Sequence, residues 1–144
     1  MRRTVKEGEG HLPKAGCMTD KTLFAIAKAD LKTAKSLVNS SDKYQKHQAA
    51  FMVQQSIEKT LKYAISLTTG GQPWGHDISK LILIAEQNGV YVPKEISDHA
   101  SIYTSWEVVS RYYPTSVIRR DAIAKAIRIT GAWQKELSLF KKHK

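Results

Sequence analysis

The chain is 144 residues long, 42% hydrophobic, and carries a formal net charge of +10 from 23 Lys and Arg against 13 Asp and Glu. That length suits one domain with its own core, and the composition excludes a chain that is disordered throughout. No apolar run approaches the roughly 18 to 20 residues of a membrane-spanning helix. No apolar segment follows Arg2, Arg3 and Lys6 to make a secretory signal, and the single cysteine, Cys17, cannot close an internal disulfide. A cytoplasmic protein is expected.

Residues 1 to 17 lack periodicity and carry three glycines and a proline. They read as a flexible leader, or as a misassigned start with Met18 as the true one, so 1–18 is set apart from the fold. Thr19-Asp20 offers N-cap chemistry for a first helix over about Asp20 to Asn39, with Phe24, Ala27, Leu31, Ala34 and Val38 on its apolar stripe. Lys21, Lys28, Lys32 and Lys35 lie off that stripe. After Asn39-Ser40-Ser41, Ser41 or Asp42 is expected to cap a long second helix over about Lys43 to Thr69, antiparallel to the first.

The second helix aligns Phe51, Gln54, Ile57, Leu61, Ala64 and Thr68 at steps of three and four, with Gln54 as the polar break. Gln55, Glu58, Lys59 and Lys62 are interleaved with this face. Gly70-Gly71 and Pro73 stop the helix. Asp77 caps a short third helix carrying Ile78, Leu81, Ile82 and Ala85, which ends at Asn88-Gly89. A fourth helix is expected from Pro93 to Tyr113, burying a combination of Ile96, Ala100, Tyr103, Trp106 and Val109, with Pro114 ending it. Thr115 or Ser116 is expected to cap a fifth over about Val117 to Phe140, with Ala122, Ala126, Ile129, Trp133, Leu137 and Phe140 on its stripe. No useful stretch alternates apolar and polar residues. The fold class is therefore all-α: an up-and-down bundle of four to five helices in one domain over 19–141, with 142–144 a basic tail.

The motifs in this order resemble the HEPN domain family. Their carriers are Ala27-x-x-Asp30-Leu31-x-x-Ala34, then QQSIEKTLKYAI from Gln54 to Ile65, a glycine-containing loop, His76-Asp77 and Arg111-Tyr112-Tyr113-Pro114. The resemblance covers nearly everything from Thr19 to Phe140. It implies a helical bundle that commonly homodimerises, is often encoded beside a minimal nucleotidyltransferase, and in some branches acts as a ribonuclease or toxin of a toxin–antitoxin pair. Those ribonuclease branches resemble one another in an R-x(4–6)-H motif, in which the arginine holds phosphate and the histidine does acid–base work. In this chain Ser116, Val117 and Ile118 stand where the histidine would follow Arg111, and no other arginine has a histidine at that separation. With that base missing, the resemblance points away from catalysis.

Candidate ligand- or phosphate-binding residues are then Gln55, Glu58, Lys59, Lys62, His76, Asp77, Arg111 and Tyr113. Each has a structural alternative. Asp77 caps the third helix while His76 bonds to its own loop. Gln55 or Glu58 ties the second helix to Arg111 or His76. Arg111 pairs with Glu58 or Glu107. Trp74 lids the bundle or stacks on a partner, and Trp106 and Trp133 belong to the core or a dimer interface.

No cofactor or metal is indicated: the histidines are scattered and no Gly-rich phosphate loop is present. Between Thr115 and Lys144, Arg119, Arg120, Lys125, Arg128, Lys135, Lys141, Lys142 and Lys144 face only Asp121 and Glu136. That excess suits RNA, a nucleotide or an acidic protein, and equally a solvated lysine-rich surface. The sequence reading is a non-catalytic HEPN protein that homodimerises and binds nucleotide, RNA or a nucleotidyltransferase partner, without a membrane. Its rivals are a ribonuclease toxin with a non-standard site and a plain interaction module using the basic C-terminal helix.

Overall fold

The computed structural model describes residues 18–113 and 115–142, with side chains through residue 140. The proposed leader, Cys17, the Pro114 stop and the last residues of the basic tail lie outside the described residues. Helix α1 spans Asp20–Leu37, α2 Lys43–Thr69, α3 Ile78–Gln87, α4 Lys94–Asp98, α5 Ala100–Tyr112 and α6 Arg120–Lys142. No strand occurs among the described residues, and no described helix is long and apolar enough to cross a membrane.

Local chemistry sets most of the helix ends. Thr19 accepts from the Thr22 amide to cap α1, and Asp42, not Ser41, accepts from the Tyr44 amide to cap α2. Gly70, at φ 82°, closes α2 in the left-handed conformation that glycine adopts without strain. Asp77 caps α3 through the amides of Ser79 and Lys80.

The helix expected over 93–113 is one element too few. It breaks at His99 (φ −115°, ψ 19°), leaving a single turn, α4, before α5. The last helix starts at Arg120, so neither Thr115 nor Ser116 caps it. Its buried face is also rotated from the expected stripe: Ile123, Ala126, Ile127, Thr130, Trp133 and Gln134 are buried, while Ala122 and Phe140 are exposed. Apolar Ile123 and Ile127 define the new face, and a polar contact accompanies it. Gln134 donates from Nε2 to Ser56 Oγ and Thr60 Oγ1, both at 3.0 Å, and Ser56 Oγ donates to the Ala27 carbonyl at 2.7 Å. These bonds stitch α6 and α1 to α2 inside the core.

Helix α2 is the central element. It packs against α1, α3, α5 and α6, and α1 makes the most extensive contact with it. Val53, Ile57, Leu61, Tyr63 and Ile65 are all essentially inaccessible. At roughly 1.5–3 kcal/mol for each large apolar side chain removed from water, this helix anchors the bundle. Trp106 and Trp133 are buried too, which puts both in the core of the chain itself. Helix α6 runs antiparallel to α1: Arg120 caps the end of α1 by donating to the carbonyls of Val38 (3.0 Å) and Ser40 (3.1 Å). Further along, Gly131 sits beside Leu31, where an added Cβ would lie 3.6 Å from Leu31 Cδ2.

Tyr63 stacks on Phe24 with ring centroids 4.2 Å apart. Its hydroxyl is buried without a hydrogen-bond partner among the described residues. Burial, with a smaller contribution from Asp20, pushes that hydroxyl above its ordinary pKa. Tyr63→Phe removes an unsatisfied group and is expected to leave stability unchanged or raise it by up to about 1 kcal/mol in urea denaturation. Ile57→Ala, by contrast, is expected to cost about 2–5 kcal/mol in the same measurement.

Candidate functional site

Glu58 lies mid-way along α2, where the neighbouring helices leave its side chain only 5% exposed. An unpaired carboxylate there would cost several kcal/mol, so its partners are obligatory. His76, in the loop that leads into α3, places Nδ1 2.7 Å from Glu58 Oε2. Lys62, one turn along α2, places Nζ 3.4 Å from the same oxygen. The other carboxylate oxygen accepts from Gln54 Nε2 at 3.4 Å.

The chain of polar contacts continues from there. Gln55 Nε2 donates to Gln54 Oε1 at 2.8 Å. Lys59 Nζ donates to Gln55 Oε1 at 3.1 Å and to Asp30 Oδ2, on α1, at 2.8 Å. A continuous line of hydrogen bonds thus runs from Asp30 through α2 to His76. It has one open end: the His76 side chain is 77% exposed while its Nδ1 is held by Glu58.

Of the candidates read from the sequence, Gln55, Glu58, Lys59, Lys62 and His76 are therefore brought together. Among the alternatives for Glu58, the geometry selects His76. The expected local bond from His76 to its own loop is replaced by this bond to α2. Asp77 turns away to cap α3 and shares no contact with the imidazole of His76.

Arg111 and Tyr113 sit elsewhere. Arg111 lies with its guanidinium carbon 5.6 Å from the centre of the Phe51 ring and Nη1 3.7 Å from Glu107 Oε2. Phe51 precedes Glu58 by seven residues, about 10 Å along the α2 axis. Arg111 thus belongs to a different part of the α2 surface from His76. Tyr113 is exposed at the end of α5.

Two participants were not singled out as site residues from the sequence, Asp30 and Gln54. Asp30 lies within the Ala-x-x-Asp-Leu pattern, but its pairing with a lysine 29 residues away has no local signature. Gln54 was visible as the one polar break in an apolar face. Trp74, in the loop before His76, is 62% exposed.

A separate apolar groove of about 540 Å³ lies between the end of α2 and the end of α6, lined by Leu67, Tyr91, Trp133 and Leu137 among others. It contains none of the polar line. Among the described residues no group of three or more His, Cys, Asp or Glu is placed to hold a metal ion.

Chemically, the cluster offers one imidazole oriented by a buried carboxylate, with the flanking lysines already neutralised. Glu58→Ala is expected to cost about 2–3 kcal/mol in urea denaturation, because it leaves buried donors unpaired. His76→Ala is expected to cost under about 1 kcal/mol, because its ring is already largely hydrated and Lys62 still serves the carboxylate.

The comparisons with known proteins agree with this architecture. The model of the HEPN domain matches residues 21–133. Among solved structures, the crystal structure of TT1696 from Thermus thermophilus is similar, with a TM-score of 0.64 at 22% identity over 81% of this chain and 96% of that one. At that identity the likeness shows the fold alone. No curated protein matches. With the matched model spanning the bundle from the start of α1 to Trp133, the chain belongs to the HEPN domain family.

Proposed function

We propose that this HEPN-domain protein is a non-catalytic binding module, a homodimer that holds RNA or nucleotide by its phosphates and works beside a nucleotidyltransferase-type partner. The observation that carries the reading is the division of charge around α2. Lys59 is committed to Asp30 and Lys62 to Glu58, while Arg111 lies at Phe51, well along the helix from His76. Neither lysine of this cluster is left to hold a scissile phosphate beside the imidazole, which argues against a site that joins an acid–base group to a phosphate holder. His76 and Arg111, the exposed candidates that can carry positive charge, are the proposed ligand contacts, and the net charge of +10 favours a phosphate-bearing ligand. The outward side of α5 supports the homodimer: Val108 and Tyr112, one turn apart, are 48% and 67% exposed, an apolar surface of the kind association covers.

One observation favours a second reading, a ribonuclease with a non-standard site. The Glu58–His76 pair has the form of an imidazole oriented by a carboxylate, the usual support of a general base. Incubating the purified protein with single-stranded and structured RNA separates the two. The proposal expects intact RNA, retained in a salt-sensitive complex that Arg111→Ala weakens. Cleavage abolished by His76→Ala would overturn the non-catalytic reading, and failure to retain RNA or nucleotide at low salt would overturn the binding one.

A further inference from the structure

Helices α1 and α6 meet where Gly131 faces Leu31, close enough that an added Cβ would touch the Leu31 side chain. Residues three before and four after a contact point share its side of a helix, one turn below and one above it. On α1 those residues are Lys28 and Lys35; on α6 they are Arg128 and Lys135. Lys32 extends the α1 row and Lys125 the α6 row, and all six are exposed. Because the two helices are antiparallel, the rows run alongside each other, with Lys35 at the level of Arg128 and Lys28 at the level of Lys135.

None of the six makes an ion pair among the described residues; Lys28 alone has another partner, the Phe24 ring beneath its ammonium at 4.6 Å. The acidic residues of both helices are occupied elsewhere or lie off the groove. Asp30 faces α2 and pairs with Lys59, Asp20 accepts from Gln72, Asp121 is paired with Arg119, and Glu136 lines the apolar groove at the end of α2. Beside the two rows, on their outer sides, Ala25, Ala29 and Ala132 are exposed and small.

We infer that the α1–α6 groove is a docking surface for the phosphate backbone of base-paired RNA. The inference deepens the proposed function and rests on its choice of RNA. Two parallel rows of unneutralised cations suit paired lines of phosphate, and the small side chains beside them let a backbone approach closely. A protein partner would need aromatic or large apolar anchors at the centre of its footprint, and single strands would need aromatic stacking platforms. The groove offers neither. Its contacts are therefore to phosphates and carry no base sequence. It lies on the opposite flank of α1 from the Asp30–His76 line, so the two surfaces are separable by mutation.

The test is fluorescence anisotropy of the full chain with a short RNA duplex, the matching single strand, a DNA duplex and poly-glutamate, at salt from about 50 to 200 mM. The double variant Lys32→Gln/Arg128→Gln is expected to bind duplex RNA roughly tenfold more weakly and to flatten the log–log salt slope by about 2. Lys80→Gln, off the groove, is expected to match the wild type, with unchanged thermal melting in both variants. Wild-type binding that the double variant leaves intact overturns the groove and spares the RNA-binding reading. Absence of any nucleic-acid binding by the wild type overturns both. Preference for the single strand or for poly-glutamate overturns the groove's assignment, whereas equal binding of the DNA duplex supports phosphate-only contact.

Discussion

Helix α2 is walled by four other helices, yet it carries Glu58, Lys59 and Lys62 through its middle. A buried charge without a partner costs several kcal/mol, enough to consume much of a small domain's stability. The other features of this surface follow from that constraint. Glu58 draws His76 down from the loop and Lys62 back along the helix, Gln54 and Gln55 relay the contact, and Lys59 reaches Asp30 on α1. The same line that makes α2 tolerable as a central helix also fixes the start of α3, since His76 is followed directly by the Asp77 cap.

This internal pairing decides where the protein's positive charge is available. Lys59 and Lys62, which share the cluster with the histidine, are used up within the bundle, and Arg119 and Arg120 are likewise engaged, one with Asp121 and the other with the end of α1. Much of the remaining excess falls on the outer rows of α1 and α6. A chain with the same composition but an unpaired Lys59 and Lys62 would present a different electrostatic face, concentrated near the imidazole.

The sequence reveals those parts of the fold whose cause is local. Thr19, Asp42, Gly70 and Asp77 mark helix ends through bonds to residues within a turn, and the apolar steps of α1 and α2 follow from helix geometry. The break at His99 was not legible, because the apolar spacing continues from Ile96 through Ala100 and Tyr103 without a glycine or proline to mark it. Nor was the register of α6. Gln134 and Thr130 turn inward, and Gln134 does so because Ser56 and Thr60 offer it oxygens across the core, partners more than 70 residues away in sequence. In the candidate site, the polar residues interrupting α2 were visible, and so was the possibility that Glu58 meets His76. What the sequence left open was the distance between Arg111 and that pair, which depends on where α5 crosses α2.

The central claim is that Lys59 and Lys62 of α2 are committed to carboxylates within the bundle while Lys28, Lys32, Lys35, Lys125 and Lys135 stay exposed and outside any ion pair among the described residues. Lysine acetylation footprinting of the native protein, read by mass spectrometry, tests it directly and without any ligand. The account predicts slow modification of Lys59 and Lys62 and fast modification of Lys28, Lys32, Lys35, Lys125 and Lys135. Equal rates for the two groups would contradict it.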